Sequence, residues 1–169
     1  MKKHLFLCAF AFSLFTACAP TEESSTTTYY LIRHAEKDRS DKTNRNPNLN
    51  EKGVERAQKW AAYFKDIDLN LVFSTNYKRT LQTAKPTADS KDLEVYTYNP
   101  RVMYSDAFKL ATKGKKVLVV GHSNTTNAFA NAILDEKKYA QIDDNNNSNL
   151  YIVTVTKDGV TSELLKIDN

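Results

Sequence analysis

Val117-Leu118-Val119-Val120-Gly121-His122 decides the fold when read beside Tyr29-Tyr30-Leu31-Ile32-Arg33-His34. Each is a short apolar run rich in β-formers, and so reads as a buried strand. Each ends at a histidine. Leu71-Val72-Phe73, closing on Ser74-Thr75, is a third run of the same kind, and residues 93 to 98 alternate like a strand. Between these runs apolar residues recur at helical spacing. Asn50 is placed to N-cap a helix carrying Val54, Ala57, Ala61 and Phe64, with Trp60 beside them. Residues 77 to 85 read as a helix disturbed by Pro86. Helices are also predicted over 102 to 112 and 124 to 134. Residues 35 to 48 and the Asn-rich stretch 143 to 149 are polar loops. Leu150 to Thr156 and Val160 to Ile167 alternate around Lys157-Asp158-Gly159, a hairpin signal. Strand and helix alternate through most of the chain. The predicted fold class is therefore α/β: a three-layer α/β/α domain with a mainly parallel central sheet and a C-terminal antiparallel hairpin. Ligands of such sheets bind beyond the carboxyl ends of the strands.

Outward from this domain, the N-terminus reads as an address. Met1-Lys2-Lys3-His4 is basic, and Leu5 to Phe15 is an apolar stretch of eleven residues, too short to span a bilayer as a helix. Thr16, Ala17 and Cys18 follow. This looks like a bacterial lipoprotein signal over residues 1–17, with Cys18 lipidated, although Phe15 stands where Leu is usual and Leu14 lies one step earlier. An ordinary secretory signal cut near Ala17 or Ala19 is the alternative. Residues 18–28, Ser/Thr-rich after Pro20, read as a flexible tether, and residues 29–169 as the domain. The expected location is the cell envelope, on its periplasmic or surface side, with the membrane reached through the lipid. Cys8 lies in the leader, so the mature domain has no disulfide and depends on its core.

The chain has 169 residues, 41% hydrophobic and 26% charged, which suits one ordinary domain. Its formal charge is +4, and Lys2 and Lys3 belong to the leader. No basic stripe is concentrated along the rest, so a nucleic-acid partner is not expected.

Only His34 and His122 remain once the leader is set aside, and both follow buried strands. Arg33 sits at the end of a strand, where its charge needs an anion or carboxylate. Arg79 lies just past another strand. An arginine fork suits phosphate through paired, charge-assisted bonds. His and Cys are too few for a typical zinc site, so no metal and no cofactor are expected. None of the four glycines forms GxxxxGK, GxGxxG or GxSxG. A nucleophilic Ser123 is formally open, with nothing else to support it.

At these residues the chain resembles the histidine phosphatase superfamily, the phosphoglycerate mutase-like group. Leu31-Ile32-Arg33-His34-Ala35-Glu36-Lys37 is similar to its RHG signature in an RHA variant. Leu49-Asn50-Glu51-Lys52-Gly53 with Arg56-Ala57 resembles its helix start. Phe73-Ser74-Thr75 through Arg79-Thr80-Leu81-Gln82-Thr83-Ala84 resembles the second-arginine motif, and Val117 to Asn124 the second-histidine motif. The four occur in the family's order.

The resemblance implies a phosphoglycerate mutase-like fold and a metal-independent phosphatase. His34 would be the nucleophile, with Arg33, Arg79 and His122 binding the phosphate. For the general acid it leaves two candidates, Asp106 and Glu36. The family's polar residue six positions after the nucleophile, usually Asn, is Ser40 here. Small size places the chain near SixA-like phosphatases, and the substrate would be a phosphorylated small molecule or a phosphoprotein. A non-catalytic surface lipoprotein that binds a phosphorylated ligand is the alternative. Residues 38 to 48 and 95 to 108, with Tyr96, Tyr98 and Tyr104, are expected at the pocket rim.

Overall fold

Two parallel strands at the centre of the sheet set the position of everything else. The computed structural model describes residues 26–167. Cys18, the leader and most of the tether lie outside the described residues. β1 (Thr27–Arg33) pairs in parallel with β4 (Lys116–Gly121), Arg33 standing opposite Gly121. β4 pairs in parallel with β2 (Leu71–Ser74), and β2 with β3 (Val95–Thr97). On the other side of β1, β5 (Asn149–Thr156) and β6 (Gly159–Lys166) run antiparallel. The order is β3-β2-β4-β1-β5-β6. The expected parallel sheet with a C-terminal hairpin is what forms. β1 begins at Thr27, two residues before the apolar run.

The pleat of the strands sends alternate side chains to opposite faces. Tyr29, Leu31, Val117 and Val119 point one way, and pack with Phe129, Ala130 and Ile133 of α4 (Thr126–Leu134). Phe108 of α3 (Asp106–Thr112) joins them. Ile32, Val72, Leu118 and Val120 point the other way. They meet Trp60 of α1 (Glu51–Tyr63), Phe64 just beyond it, and Ala84 and Ala88 of α2 (Lys78–Asp89). Helices therefore cover both faces. Among the described residues no helix is long and apolar enough to cross a membrane.

Local signals hold in part. Asn50 caps α1, its side chain accepting from the Gly53 amide at 2.9 Å. Gly53 is demanded by packing: a Cβ there would lie 2.1 Å from the Glu36 carbonyl oxygen, so α1 starts flush against the loop after β1. The helix expected to be disturbed at Pro86 runs through it to Asp89. A mid-helix proline costs about 3 kcal/mol. Thr83, Ala84, Thr87 and Ala88, all buried on both sides of that turn, hold the segment helical against that cost. The strand predicted over 93 to 98 shortens to Val95–Thr97, and the helix predicted from 102 starts at Asp106, capped by Ser105.

Candidate active site

His34 and His122 meet because β1 and β4 are neighbours in register. The His34 amide donates to the Gly121 carbonyl at 2.9 Å, and the two rings stand edge-to-face with centroids 5.4 Å apart. β2 ends beside them, the Thr75 amide bonding the Val120 carbonyl. α2 starts at that end and brings Arg79 to the same place.

Each ring is held in one tautomer. His34 Nδ1 lies 2.7 Å from the Ala35 carbonyl oxygen, which can only accept. The proton of the neutral ring is therefore on Nδ1, and Nε2 keeps its lone pair. His122 is oriented by a hydroxyl chain. Thr80 donates to backbone carbonyls and Thr75 donates to Thr80, so Thr75 Oγ1 accepts from His122 Nε2 at 2.9 Å. His122 Nδ1 is left as the acceptor facing Arg79 Nη2, at 3.4 Å.

The arginines are held differently. Arg33 is 1% exposed. Its Nη1 donates to the carbonyls of Asp143 and Asn146 at 2.9 and 3.0 Å, and its Nη2 meets Asp144 Oδ1 at 2.6 Å. Arg79 lies over the Tyr77 ring, 4.6 Å from its centroid, and that ring stands edge-on to His122. The Nε atoms of both arginines are buried without an acceptor among the described residues. Buried donors are almost always satisfied, so two orphaned guanidinium N–H groups beside two imidazoles mark a place for an anion.

Both imidazoles are kept neutral. Burial, with the charges of Arg33, His122 and Arg79 added, pushes His34 down to about 3. Burial, Arg79, Arg33 and Lys37 push His122 down to about 4. In the unfolded chain each would titrate near 6.5. Between those values the unfolded chain binds protons that the folded one refuses, so stability is present above about pH 6.5 and lost as pH falls. Unfolding by urea should show the domain at least roughly 2 kcal/mol less stable at pH 4.5 than at pH 7. Equal stability at the two pH values would mean that the rings are not buried neutral.

Of the two carboxylates named as acids, one lines the cavity beside His34 and the other does not. Glu36 lines the cavity beside His34, but Arg56 grips it with three bonds of 2.8–3.0 Å. Asp106 is the first residue of α3. Its side chain is fully exposed, pairs with Lys109 at 3.2 Å and does not line the cavity beside His34. Phe108 and Thr112 supply the inward face of that helix, which turns Asp106 outward. Ser40 is exposed, its amide bonding the Asp38 side chain. Of the tyrosines expected at the rim, two pack on the core and the third lies on the sheet surface. Tyr98 and Tyr104 pack on Phe129, and the exposed Tyr96 packs on Phe73. Ser123 offers its carbonyl to the Ile142 amide.

Sequence reasoning missed several residues. Asn147 Nδ2 donates to the His34 carbonyl at 2.7 Å, and Asp144 joins Arg33 to Arg39. Lys37, Arg39, Lys52, Asn145 and Asn147 share with His34 a cavity of about 340 Å³. The Asn-rich loop was visible as a loop; its approach to β1 had no local signal. Among the described residues no group of three or more His, Cys, Asp or Glu side chains is gathered to hold a metal.

A buried neutral imidazole with a free lone pair, set among guanidinium donors at the edge of an α/β sheet, defines a hydrolase of phosphate esters. The comparisons agree. Residues 29–100 match the model of the Histidine phosphatase superfamily (branch 1), a span that holds the first-histidine and second-arginine motifs. No curated protein matches the sequence. Among solved structures, the protein histidine phosphatase SixA complexed with tungstate superposes with a TM-score of 0.67 at 15% identity, covering 82% of this chain and 96% of that one. A mycobacterial glucosyl-3-phosphoglycerate phosphatase gives 0.61 at 13%, covering 84% and 98%. The phosphoglycerate mutase of Bacillus anthracis gives 0.62 at 16%, covering 85% and 94%. At such identities these likenesses speak for the fold alone. The family match spans residues 29–100, and the fold as a whole has the phosphoglycerate mutase-like architecture.

Proposed function

We propose that this domain is a metal-independent phosphatase that works through a phosphohistidine on His34. The observation that carries the reading is the fixed tautomer: Nδ1 is tied to the Ala35 carbonyl, so Nε2 is the nucleophilic atom. Phosphoryl transfer has a loose transition state, and catalysis is mostly positioning and charge stabilisation. Arg79 and the free Nε of Arg33 supply donors to the transferring oxygens. His122 stands across the site as the second ring. Water then cleaves the phosphohistidine. The similarity of the fold to SixA and to a glucosyl-3-phosphoglycerate phosphatase supports this reading without choosing the substrate. The test is rapid quenching of purified protein with an aryl phosphate: a phosphorylated peptide containing His34 is expected. Steady turnover with the label on another residue would refute it.

Export and lipidation of Cys18 belong to the same proposal. They are supported by the leader and by the polar stretch that follows. Acyl labelling in a bacterial host should mark the protein, and a Cys18→Ser variant should lose the label. Labelling that survives the substitution rules the anchor out.

A further inference from the structure

We infer that the phosphoryl donor is a diphosphate: its terminal phosphorus meets His34, and its second phosphate seats among Lys37, Arg39 and Lys52. This rests on the phosphatase reading of His34 and names the substrate class of the same site.

The first argument counts protons. An alkyl ester needs an acid to protonate the departing oxygen. The carboxylates lining the cavity beside His34 are Glu36 and Asp144. Glu36 is gripped by the Arg56 fork at 2.8–3.0 Å, which engages both of its oxygens. Asp144 is held between Arg33 at 2.6 Å and Arg39 at 2.9 Å. Carboxylate oxygens that accept from guanidinium N–H groups are turned away from donating a proton to a leaving group. The single ring proton of neutral His122 is committed to Thr75. A phosphate leaving group needs none of these, because it departs as a stable anion near neutral pH.

The second argument counts charges. Lys37 and Lys52 line the cavity, and among the described residues neither has a carboxylate within ion-pair distance. Arg39 must share Asp144 with Arg33. Three cations thus converge on one cavity beside the nucleophile, and its carboxylates are already engaged. An anionic leaving group placed there gains charge in the transition state, where these cations act on it. A neutral sugar or alkyl group would gain nothing from them. The volume, about 340 Å³, lies at the small end of ligand cavities and suits a second phosphate with the start of its substituent.

In the reaction His34 Nε2 attacks the terminal phosphorus and the P–N bond forms. The P–O bond to the bridging oxygen breaks, and its electron pair stays on that oxygen, which leaves on the second phosphate. Water then attacks the phosphohistidine. The P–N bond breaks, its pair returns to Nε2, and the water's proton passes to solvent.

The test compares kcat/KM of purified protein for adenosine diphosphate, farnesyl diphosphate, glycerol phosphate and p-nitrophenyl phosphate. At least one diphosphate should exceed glycerol phosphate by about 100-fold, the effect of an unprotonated leaving group. Preference for the nucleotide points to a soluble donor, and preference for the isoprenoid to a lipid-borne one; either supports the inference. In a Lys37→Met/Lys52→Met variant of unchanged Tm, the ratio of diphosphate to p-nitrophenyl phosphate turnover should fall roughly tenfold or more. Glycerol phosphate turned over as well as the better of the two diphosphates, or a ratio unmoved in the variant, overturns the inference; p-nitrophenyl phosphate turnover then shows that the phosphatase reading stands. Failure on every substrate, the aryl ester included, removes both.

Discussion

An Arg79→Ala variant is expected to fold normally and to lose about 10³-fold in kcat on an aryl phosphate. The expectation comes from what the side chain touches. Its Nε is buried without an acceptor among the described residues, its Nη2 faces His122 Nδ1, and its plane rests on Tyr77. It bridges the second imidazole and the place for the anion, and holds no packed core together. Its two hydrogen bonds are long, 3.4 Å each, so losing them destabilises little. The stacking on Tyr77 is worth about 1 kcal/mol. Removing it deletes a donor and also frees His122. An Arg79→Lys variant should recover only part of the rate, because a point charge does not reproduce a planar fork. Activity within threefold of wild type in the alanine variant, checked beside thermal melting, would take Arg79 out of the site.

His34→Ala carries the other large effect. Loss of a covalent nucleophile costs on the order of 10⁴-fold or more in kcat. The phosphorylated peptide should vanish with it. Tungstate or inorganic phosphate should still bind, because Arg33 and Arg79 remain. This separates the enzyme from the non-catalytic phosphate-binding lipoprotein. A purely binding pocket would show the same slow hydrolysis with and without His34.

What was legible in the sequence is what depends on strand ends. Arg33, His34 and His122 close apolar runs, and parallel pairing puts such ends on one rim. Arg79 follows a third run, and β2 lies beside β4. Asp106 is not among the residues that line the cavity beside His34. Its place was read from spacing along the chain, whereas the apolar face of α3 decides which way it points. Glu36 was close to the nucleophile, but the arginine that occupies it is 20 residues further on. Pro86 broke a local rule because buried threonine and alanine neighbours outweighed it. The contact between Arg33 and Asp144 spans 111 residues, and no local pattern encodes it.

That long-range clamp bears on biosynthesis. The loop that grips Arg33 precedes β5, and β5 is fastened alongside β1 only when nearly all of the described chain has been made. A ribosome-bound fragment ending before Asp143 carries both imidazoles but lacks the groups that hold Arg33. Arg33 therefore gains its acceptors, and the rim around His34 its full set of contacts, only with the C-terminal part of the described chain.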